Sequence, residues 1–192
     1  MALIAIPGPL VSVLFQRGAF DASDTAATAL AVAVYGAGLP AFVLQKVMQP
    51  LYFAREDTVR PFRYAVWAMV INAAIAIGFA PVFGFIAAAW GTTLAGWGMV
   101  LLLWWGARDM GLAARFDDRL RRRIPRQILA SVIMGAVLIG AAAAMDDLLH
   151  TGGWRYLALA LLVGLGMLSY AAASHLTGAF TLRDLKSATR RG

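Results

Sequence analysis

The chain has 192 residues, of which 61% are hydrophobic and only 14% are charged, and its mean hydropathy is +0.72. A soluble globular domain averages about 45–50% apolar and about 25% charged residues, so this composition excludes a soluble enzyme, a disordered tail and a collagen-like chain. Cysteine is absent, which excludes disulfides and thiolate metal sites. The net charge of +7 raises the question of a nucleic-acid partner, which depends on where the charges lie.

Five long uncharged runs predict an all-α, polytopic membrane helical bundle. They cover residues 1–16, 25–45, 64–107, 127–145 and 156–182. A bilayer-spanning helix needs roughly 20 apolar residues, so the third run, with 44 residues, is long enough for two spans. A turn signal, Pro81-Val82-Phe83-Gly84, lies near its middle. Complete spans are therefore predicted at about 25–49, 62–80, 85–106, 126–145 and 154–177.

The first run is different, because Pro7-Gly8-Pro9 interrupts it and leaves too little length to cross a bilayer. It lacks the basic start and the A-x-A site of a signal peptide. It is interpreted as the end of a preceding transmembrane helix, and the chain as a piece of a larger protein.

Basic residues predict the orientation of the bundle. The loop after the first complete span, the loop before the fourth and the C-terminal tail together hold 14 Lys and Arg, whereas the opposite loops hold only Arg17 and Arg155. By the positive-inside rule the basic loops and the C-terminus are cytoplasmic, and the loops at 16–24, 81–84 and 146–153 face outward. The positive charge thus reports membrane topology and attraction to anionic lipids, and no nucleic-acid partner is predicted.

The first complete span contains Gly36, Gly38 and Pro40 within five residues. Proline removes an intrahelical hydrogen bond, so a kink is predicted here, and the three residues are candidates for a hinge. Small residues also recur on single faces of three other spans, where they favour either close helix packing or a sliding seam. They are Gly91, Ala95 and Gly98, then Ala136, Gly140 and Ala144, and finally Ala160 and Gly164.

Few polar side chains lie inside the predicted spans. Asn72 is expected to satisfy its amide against a neighbouring helix, and Thr92 and Thr93 to hydrogen-bond to the turn that precedes them. Lys46 lies near the basic end of its span, where it either reaches the membrane surface or faces a central cavity.

Catalytic and metal-binding motifs such as H-E-x-x-H, G-x-S-x-G and the phosphate-binding loop are absent from the sequence. His150 with Asp146 and Asp147 is too small a set to predict a metal site. The sequence therefore predicts a transporter part that is not an enzyme and has no cofactor.

Two segments are more specific than composition. Residues 14–20 read LFQRGAF, and residues 46–61 read KVMQPLYFAREDTVRP. They resemble the MurJ/MviN family of lipid II flippases, in which LFQRGAF precedes a helix and a KV-x-AP-x-FYAR-x-DT-x-TP segment ends the same helix. Gln49-Pro50 replaces the more usual Ala-Pro. The D-T-x-x-P element also recurs in the wider exporter superfamily, so the first segment is the more diagnostic.

Both segments also have a local physical explanation. Asp21, Ser23 or Asp24 can cap the helix that begins near Thr25. At the second segment, Asp57 or Thr58 can cap the next helix, with Pro61 in its first turn, where a missing N–H is harmless.

The resemblance implies that alternating access between two lobes carries lipid II across the bacterial cytoplasmic (inner) membrane. It assigns residues 1–106 to the C-terminal lobe, 107–125 to a basic cytoplasmic loop, 126–177 to two additional helices that form a groove for the lipid tail, and 178–192 to a cytoplasmic tail. The implied partners are lipid II, membrane lipids and the N-terminal lobe. Within residues 107–125, apolar positions recur every four residues, which suits a helix in the membrane interface as well as an ordinary loop. They are Leu112, Phe116, Leu120 and Ile124.

Three site candidates follow from the residues themselves, and two follow from the resemblance. Lys46, Arg55 and Arg60 are candidates for contacting the substrate or holding a cytoplasmic gate. Asn72 and Thr92 align with two ligands of a sodium site found in some members, but Ala76 stands where those members place an Asp. A vestigial ion site is therefore the expectation.

Other functions remain open at this stage. Another exporter of the same superfamily would move a different lipid-linked oligosaccharide or a drug. A small membrane scaffold that partners an enzyme belongs to a different class, and a catalytic membrane transferase lacks any acidic motif to support it.

Overall fold

The computed structural model describes residues 1–110, 118–150 and 153–178, with the backbone alone for 118–120 and 150. These residues form eight α-helices and no strand, which confirms the predicted all-α class. The helices are α1 (Ala2–Ala5), α2 (Pro7–Phe15), α3 (Ala22–Phe53), α4 (Val59–Phe83), α5 (Ile86–Ala107), α6 (Asp118–Ala144), α7 (Asp146–His150) and α8 (Arg155–Leu176). In this described part, five helices are long and apolar enough to cross a membrane, namely α3, α4, α5, α6 and α8.

The helices belong to two compact units. The central unit is Leu30–Arg115, and the terminal unit combines Met1–Ala29 with Phe116–Gly192. The first turns of α3 therefore belong to the terminal unit, and the rest of α3 belongs to the central unit.

In the central unit, α3 and α5 run in the same direction and α4 runs against both. Hydrogen bonds join Val34 of α3 to Thr93 of α5, and further along both helices they join Tyr52 to Leu103. These helices enclose one apolar core, whose buried members are Ala41, Met48, Tyr52, Met99, Val100, Leu103, Ala107 and Met110. Short connections between α3, α4 and α5 explain this alternating order.

In the terminal unit, α6 and α8 pack antiparallel, and the short helices α1 and α2 lie against them. Arg126 Nη1, near the start of α6, donates to the Gly178 carbonyl just beyond α8 at 3.4 Å. The core of this unit consists of Ile6, Val13, Leu138, Leu149, Ala158, Leu159 and Leu162. Pro7 stands at the first position of α2, so the predicted interruption of the first run separates two helical pieces.

Helix boundaries follow the predicted spans closely, with two corrections at prolines. The turn predicted at 81–84 is confirmed but begins later, because α4 continues through Pro81 to Phe83 and ends at Gly84, which has φ 59°. Proline removes only its own bond to the preceding turn, so the neighbouring bonds can carry the helix past it. In the same way α6 begins at Asp118 and passes Pro125, so residues 118–125, which the sequence left open between a loop and an interfacial helix, are helical.

Several predicted features lie outside the described residues. They are the apolar positions Leu112 and Phe116, the basic residues Arg115, Arg183, Lys186, Arg190 and Arg191, and the side chains of Leu120 and His150.

Helix starts follow the predicted capping residues. Asp21 Oδ1 accepts hydrogen bonds from the backbone N–H groups of Ser23 (2.7 Å) and Asp24 (3.0 Å), and Asp24 Oδ2 accepts one from the Asp21 N–H (3.2 Å). This reciprocal pair is a capping box for α3. At α4, Asp57 Oδ1 accepts the Arg60 N–H at 3.1 Å, and Pro61 lies in the first turn as predicted.

The end of α3 contains a strained residue. Glu56 has φ 61°, a left-handed conformation that favours glycine. The Asp57 N–H bonds the Tyr52 carbonyl and the Glu56 N–H bonds the Phe53 carbonyl. This pattern is a Schellman motif, and it ends the helix immediately before the cap of α4.

Only one of the predicted small-residue faces is a helix contact. A Cβ added at Gly91 would lie 2.8 Å from Asn72 Oδ1 on α4, so this glycine permits a close approach. The prediction is wrong for α6 and α8, where Gly140 and Gly164 have no atom within 4 Å of an added Cβ. These two helices meet instead where Leu138 packs over Gly166, because a large side chain fills the gap that a glycine leaves.

Candidate functional site

A series of five side-chain hydrogen bonds joins α3 and its C-terminal turn to α5 and the turn after it. We call these bonds the α3–α5 ladder. They run from Thr93 to the Val34 carbonyl, from Trp97 to the Ala37 carbonyl, from Gln45 to the Gly96 carbonyl, from Tyr52 to the Leu103 carbonyl and from Arg55 to the Met110 carbonyl. Every acceptor is a backbone carbonyl, so each bond fixes one helix against the main chain of the other. Two parallel helices bonded along their length in this way are expected to behave as one rigid pair.

The hinge candidates Gly36, Gly38 and Pro40 lie beside this ladder. Pro40 has no N–H to donate to the Gly36 carbonyl, yet α3 is continuous around it. A Cβ added at Gly38 would lie 2.9 Å from Thr93 Oγ1, so glycine is required for this close approach to α5. Bending at this point would have to break the bonds of Thr93 and Trp97 or carry α5 along. The role of these residues as a hinge stays a prediction.

Asn72 and Thr92 come together at the contact of α4 with α5. Asn72 Nδ2 lies 3.5 Å from Thr92 Oγ1, at the long limit of a hydrogen bond, and Thr92 Oγ1 donates to the Ala88 carbonyl at 2.9 Å. Thr92 thus bonds its own preceding turn, as predicted. Thr93 does not, because its hydroxyl donates across to α3 at 2.9 Å. Ala76 lies next to the pair and contributes no side-chain oxygen, so two polar groups remain where an ion would need more.

Lys46 lies on the exposed face of α3, and no described residue contacts its ammonium group as an ion-pair or hydrogen-bond partner. The neighbouring positions on this face, Leu39, Val43 and Val47, are 49%, 61% and 62% exposed. Lys46 precedes the end of α3 at Phe53 by two helical turns, or about 10 Å. The Lys46 ammonium group therefore lies on an apolar surface of α3, two turns before the C-terminal end of the helix.

Arg55 lies in the turn that follows α3 and Arg60 lies in the first turn of α4, and the two arginines have different partners. Arg55 Nη2 donates to the Met110 carbonyl at 2.7 Å, so this residue joins the end of α3 to the turn after α5. Arg60 Nε lies 3.2 Å from Asp57 Oδ2, and the Arg60 side chain is 46% exposed. Such exposed pairs contribute little stability, so the guanidinium of Arg60 keeps its capacity for other anions.

A cavity of about 260 Å³ lies beside Arg60 at the same end of the central unit. Its lining residues are Arg60, Arg63, Tyr64, Trp67 and Trp105. Arginine and tryptophan together are typical of the membrane–water interface, where the indole lies at headgroup depth and the guanidinium meets phosphates. The cavity can accommodate an anionic headgroup.

Sequence reasoning missed most of the α3–α5 ladder. Tyr52 and Trp97 look like ordinary apolar span residues, and only their polar tips indicate that they need a partner inside a membrane. The identity of that partner depends on the relative register of two helices, for which the sequence contains no direct signal.

Comparisons with known proteins agree with the resemblance. Residues 1–163 match the family described as "Lipid II flippase MurJ". A "Probable lipid II flippase MurJ" of Vibrio cholerae is 34% identical over 194 residues, which cover 98% of this chain and 36% of that protein. One of Rhizobium meliloti is also 34% identical, over 100% of this chain and 36% of that protein. A "Lipid II flippase MurJ" of Burkholderia cenocepacia is 27% identical over 150 residues, 78% of this chain and 27% of its own.

The chain thus spans about a third of the length of these two 34%-identical relatives. The family match extends over α1–α7 and into α8, and so includes helices of both units. With five helices of transmembrane length in the order that the sequence predicts, the chain belongs to the MurJ family of lipid II flippases.

Proposed function

We propose that this chain forms the C-terminal part of a lipid II flippase and moves lipid-linked peptidoglycan precursor by alternating access together with an N-terminal lobe. The observation that carries the proposal is the family match across residues 1–163. The relatives are named as flippases, which are transporters, and a non-enzymatic role follows from that analogy.

Rigid-body movement is the role proposed for the central unit. Alternating access requires helices that rock as one body around a shared substrate site. The α3–α5 ladder supports this role because its bonds extend from Val34 to the Met110 turn, about the C-terminal two-thirds of both helices.

Substrate contact is proposed for the cations at the basic end. Lipid II carries a pyrophosphate, and a charged group inside the membrane needs fixed counter-charges. Lys46 supplies an exposed ammonium group on an apolar face, and the cavity beside Arg60 and Arg63 supplies two guanidinium groups. The exposed faces of α6 and α8, which carry Gly140 and Gly164, are proposed to contact the polyprenyl tail.

The orientation proposed for this multi-pass protein places the basic ends and the C-terminus in the cytoplasm. The test introduces Arg121→Cys and Trp154→Cys separately, since the chain has no cysteine of its own. An impermeant thiol reagent applied to intact cells should label Trp154→Cys and should label Arg121→Cys only after lysis. Labelling of Arg121→Cys in intact cells contradicts this orientation.

The function is tested by complementation in a bacterium depleted of its own flippase. Residues 1–192 alone should not restore growth, because a single partial lobe cannot alternate access. A chimera in which these residues replace the corresponding third of the Vibrio cholerae relative should restore it. A chimera that inserts stably and leaves lipid II on the inner face contradicts the flippase assignment, and growth with the chain alone contradicts the need for a second lobe.

The role of Lys46 is tested in the same chimera with a matched pair of variants. Lys46→Gln should reduce the amount of lipid II on the outer face by about tenfold, the loss expected for one charge-assisted contact, and Lys46→Arg should retain most of it. Equal activity of Lys46→Gln and wild type shows that this ammonium group only reaches the membrane surface.

A further inference from the structure

Arg155 is one of only two basic residues predicted for the outward side of the membrane, and it lines a cavity at one end of the terminal unit. The cavity has a volume of about 260 Å³, and its described lining consists of Ser12, Gln16, Leu149 and Arg155. A water molecule occupies about 30 Å³ in the liquid, so the space is several times larger than one water. Three of these four residues are polar in a chain that is 61% hydrophobic.

The guanidinium group of Arg155 contacts Tyr156 through one nitrogen, and another of its nitrogens has no hydrogen-bond partner among the described residues. Nη2 donates to the Tyr156 hydroxyl at 2.9 Å, and Cζ lies 4.9 Å from the centre of the Tyr156 ring. Nε is fully buried and has no hydrogen-bond partner among the described residues. A buried N–H without an acceptor is unfavourable and rare in native proteins, so a ligand in the cavity that draws this guanidinium group toward an acceptor would relieve it.

The other polar groups of the cavity supply further donors. The described part of the chain offers no hydrogen-bond partner to the Gln16 side-chain amide, and the Ser12 hydroxyl makes one long bond of 3.3 Å to the Pro9 carbonyl. No acidic residue is among the four lining residues. The arginine fork and the side-chain amide of Gln16 are donors that match the oxygens of a phosphate group.

We propose that this cavity, which we call the Arg155 cavity, binds a phosphate group at the end of the terminal unit where α2 ends and α8 begins. The ligand is either a free phosphate or pyrophosphate anion or the phosphate of an anionic phospholipid headgroup. The proposal rests on the cavity and the polar side chains that line it, and is independent of the proposed transport function.

The test measures binding to the purified 192-residue chain in a neutral detergent. Inorganic pyrophosphate is titrated at constant ionic strength, with chloride as the control anion, and the dissociation constant and the melting temperature are recorded. Wild type should bind pyrophosphate and melt at a higher temperature when it is present. Arg155→Gln should weaken binding by about tenfold or more, as expected for the loss of a charge-assisted donor pair.

Arg17→Gln is the matched control, because it removes the same charge from the same end of the terminal unit at an exposed residue that does not line the cavity. It should bind pyrophosphate as wild type does. Gln16→Leu keeps Arg155 in place and should weaken binding by a smaller factor, so the proposal remains testable if Arg155→Gln fails to fold.

A second arm distinguishes the two sources of phosphate. The chain is placed in nanodiscs of phosphatidylcholine with or without phosphatidylglycerol. Stabilisation by phosphatidylglycerol that Arg155→Gln abolishes, without any response to pyrophosphate, supports the site and identifies a lipid headgroup. The proposal is overturned if neither ligand affects wild type, or if Arg155→Gln and Arg17→Gln respond equally to both.

Discussion

The contact of α4 with α5 depends on the absence of a side chain at Gly91. A Cβ at this position would lie 2.8 Å from Asn72 Oδ1, 2.9 Å from the Asn72 carbonyl oxygen and 3.4 Å from the Ala76 nitrogen. Two of these three atoms belong to the backbone of α4, so a rotamer change cannot relieve the overlap. Gly91→Ala should therefore force the two helices apart.

The expected size of the effect combines two opposing contributions. Overpacking a tight contact typically costs about 1–3 kcal/mol. Replacing glycine by alanine inside a helix contributes roughly 0.5–1 kcal/mol in the opposite direction. The free energy of unfolding of Gly91→Ala should thus fall by about 1 kcal/mol, within a range of roughly 0–2.5 kcal/mol.

The assay is denaturation of the purified chain in detergent, followed by helical circular dichroism as the fraction of sodium dodecyl sulfate increases. Gly78→Ala is the control, because it makes the same substitution in the membrane-spanning part of α4 with no atom within 4 Å of the new Cβ. It should leave stability unchanged or raise it by up to about 1 kcal/mol. The steric explanation is refuted if Gly91→Ala is as stable as Gly78→Ala.

Three further predictions use the same purified chain. Asn72→Ala should lower the free energy of unfolding by roughly 0.5–2 kcal/mol, nearer the lower value because the hydrogen bond from Asn72 to Thr92 is long. Sodium should not change the melting temperature of wild type or variant. A sodium-dependent rise in the melting temperature of wild type that is lost in the variant contradicts this prediction. Glu56→Gly should raise the unfolding free energy by about 1 kcal/mol, since the left-handed φ penalises any L side chain, and a lower melting temperature would be inconsistent with that strain. Hydrogen bonds from the Ser23 hydroxyl, and from the N–H groups of Asp24 and Ser23, hold the pKa of the exposed Asp21 carboxyl below its usual 3.8. The stabilising contribution of this carboxylate is therefore present above pH 3.8 and is lost as the pH falls through the lowered pKa. Asp21→Asn should lack this part of the acid dependence of the melting temperature, and parallel acid profiles of wild type and variant would contradict the prediction.

The local features of the chain were predictable because they depend on neighbouring residues. Asp21 and Asp57 cap the helices that follow them, as short-range hydrogen-bonding preferences predict. Prolines were less reliable, since Pro81 and Pro125 lie inside helices that continue past them. A proline removes one bond, and a long apolar segment retains its other hydrogen bonds because nothing in a membrane replaces them.

The candidate residues show the same difference between features that depend on neighbouring residues and features that depend on a contact with another helix. Asn72 and Thr92 were recognisable as polar groups within apolar spans, and the structure brings them together. Thr93 was assigned to its own turn, but the close approach permitted by Gly38 gives it an acceptor on another helix. The buried Nε of Arg155 had no sequence signal, because a charged residue beside a loop usually reaches water.

The sequence by itself determined the class, the number of complete spans and their approximate limits, because a hydrocarbon environment requires apolar helices of a nearly fixed length. Two short motifs were also enough to indicate the family. Only the tertiary structure decided which faces meet, since several helix faces are equally apolar and rich in small residues. Gly91 is packed while Gly140 and Gly164 are open, and the difference comes from whether a large side chain or a backbone approaches each glycine, which depends on helix register and not on the local sequence.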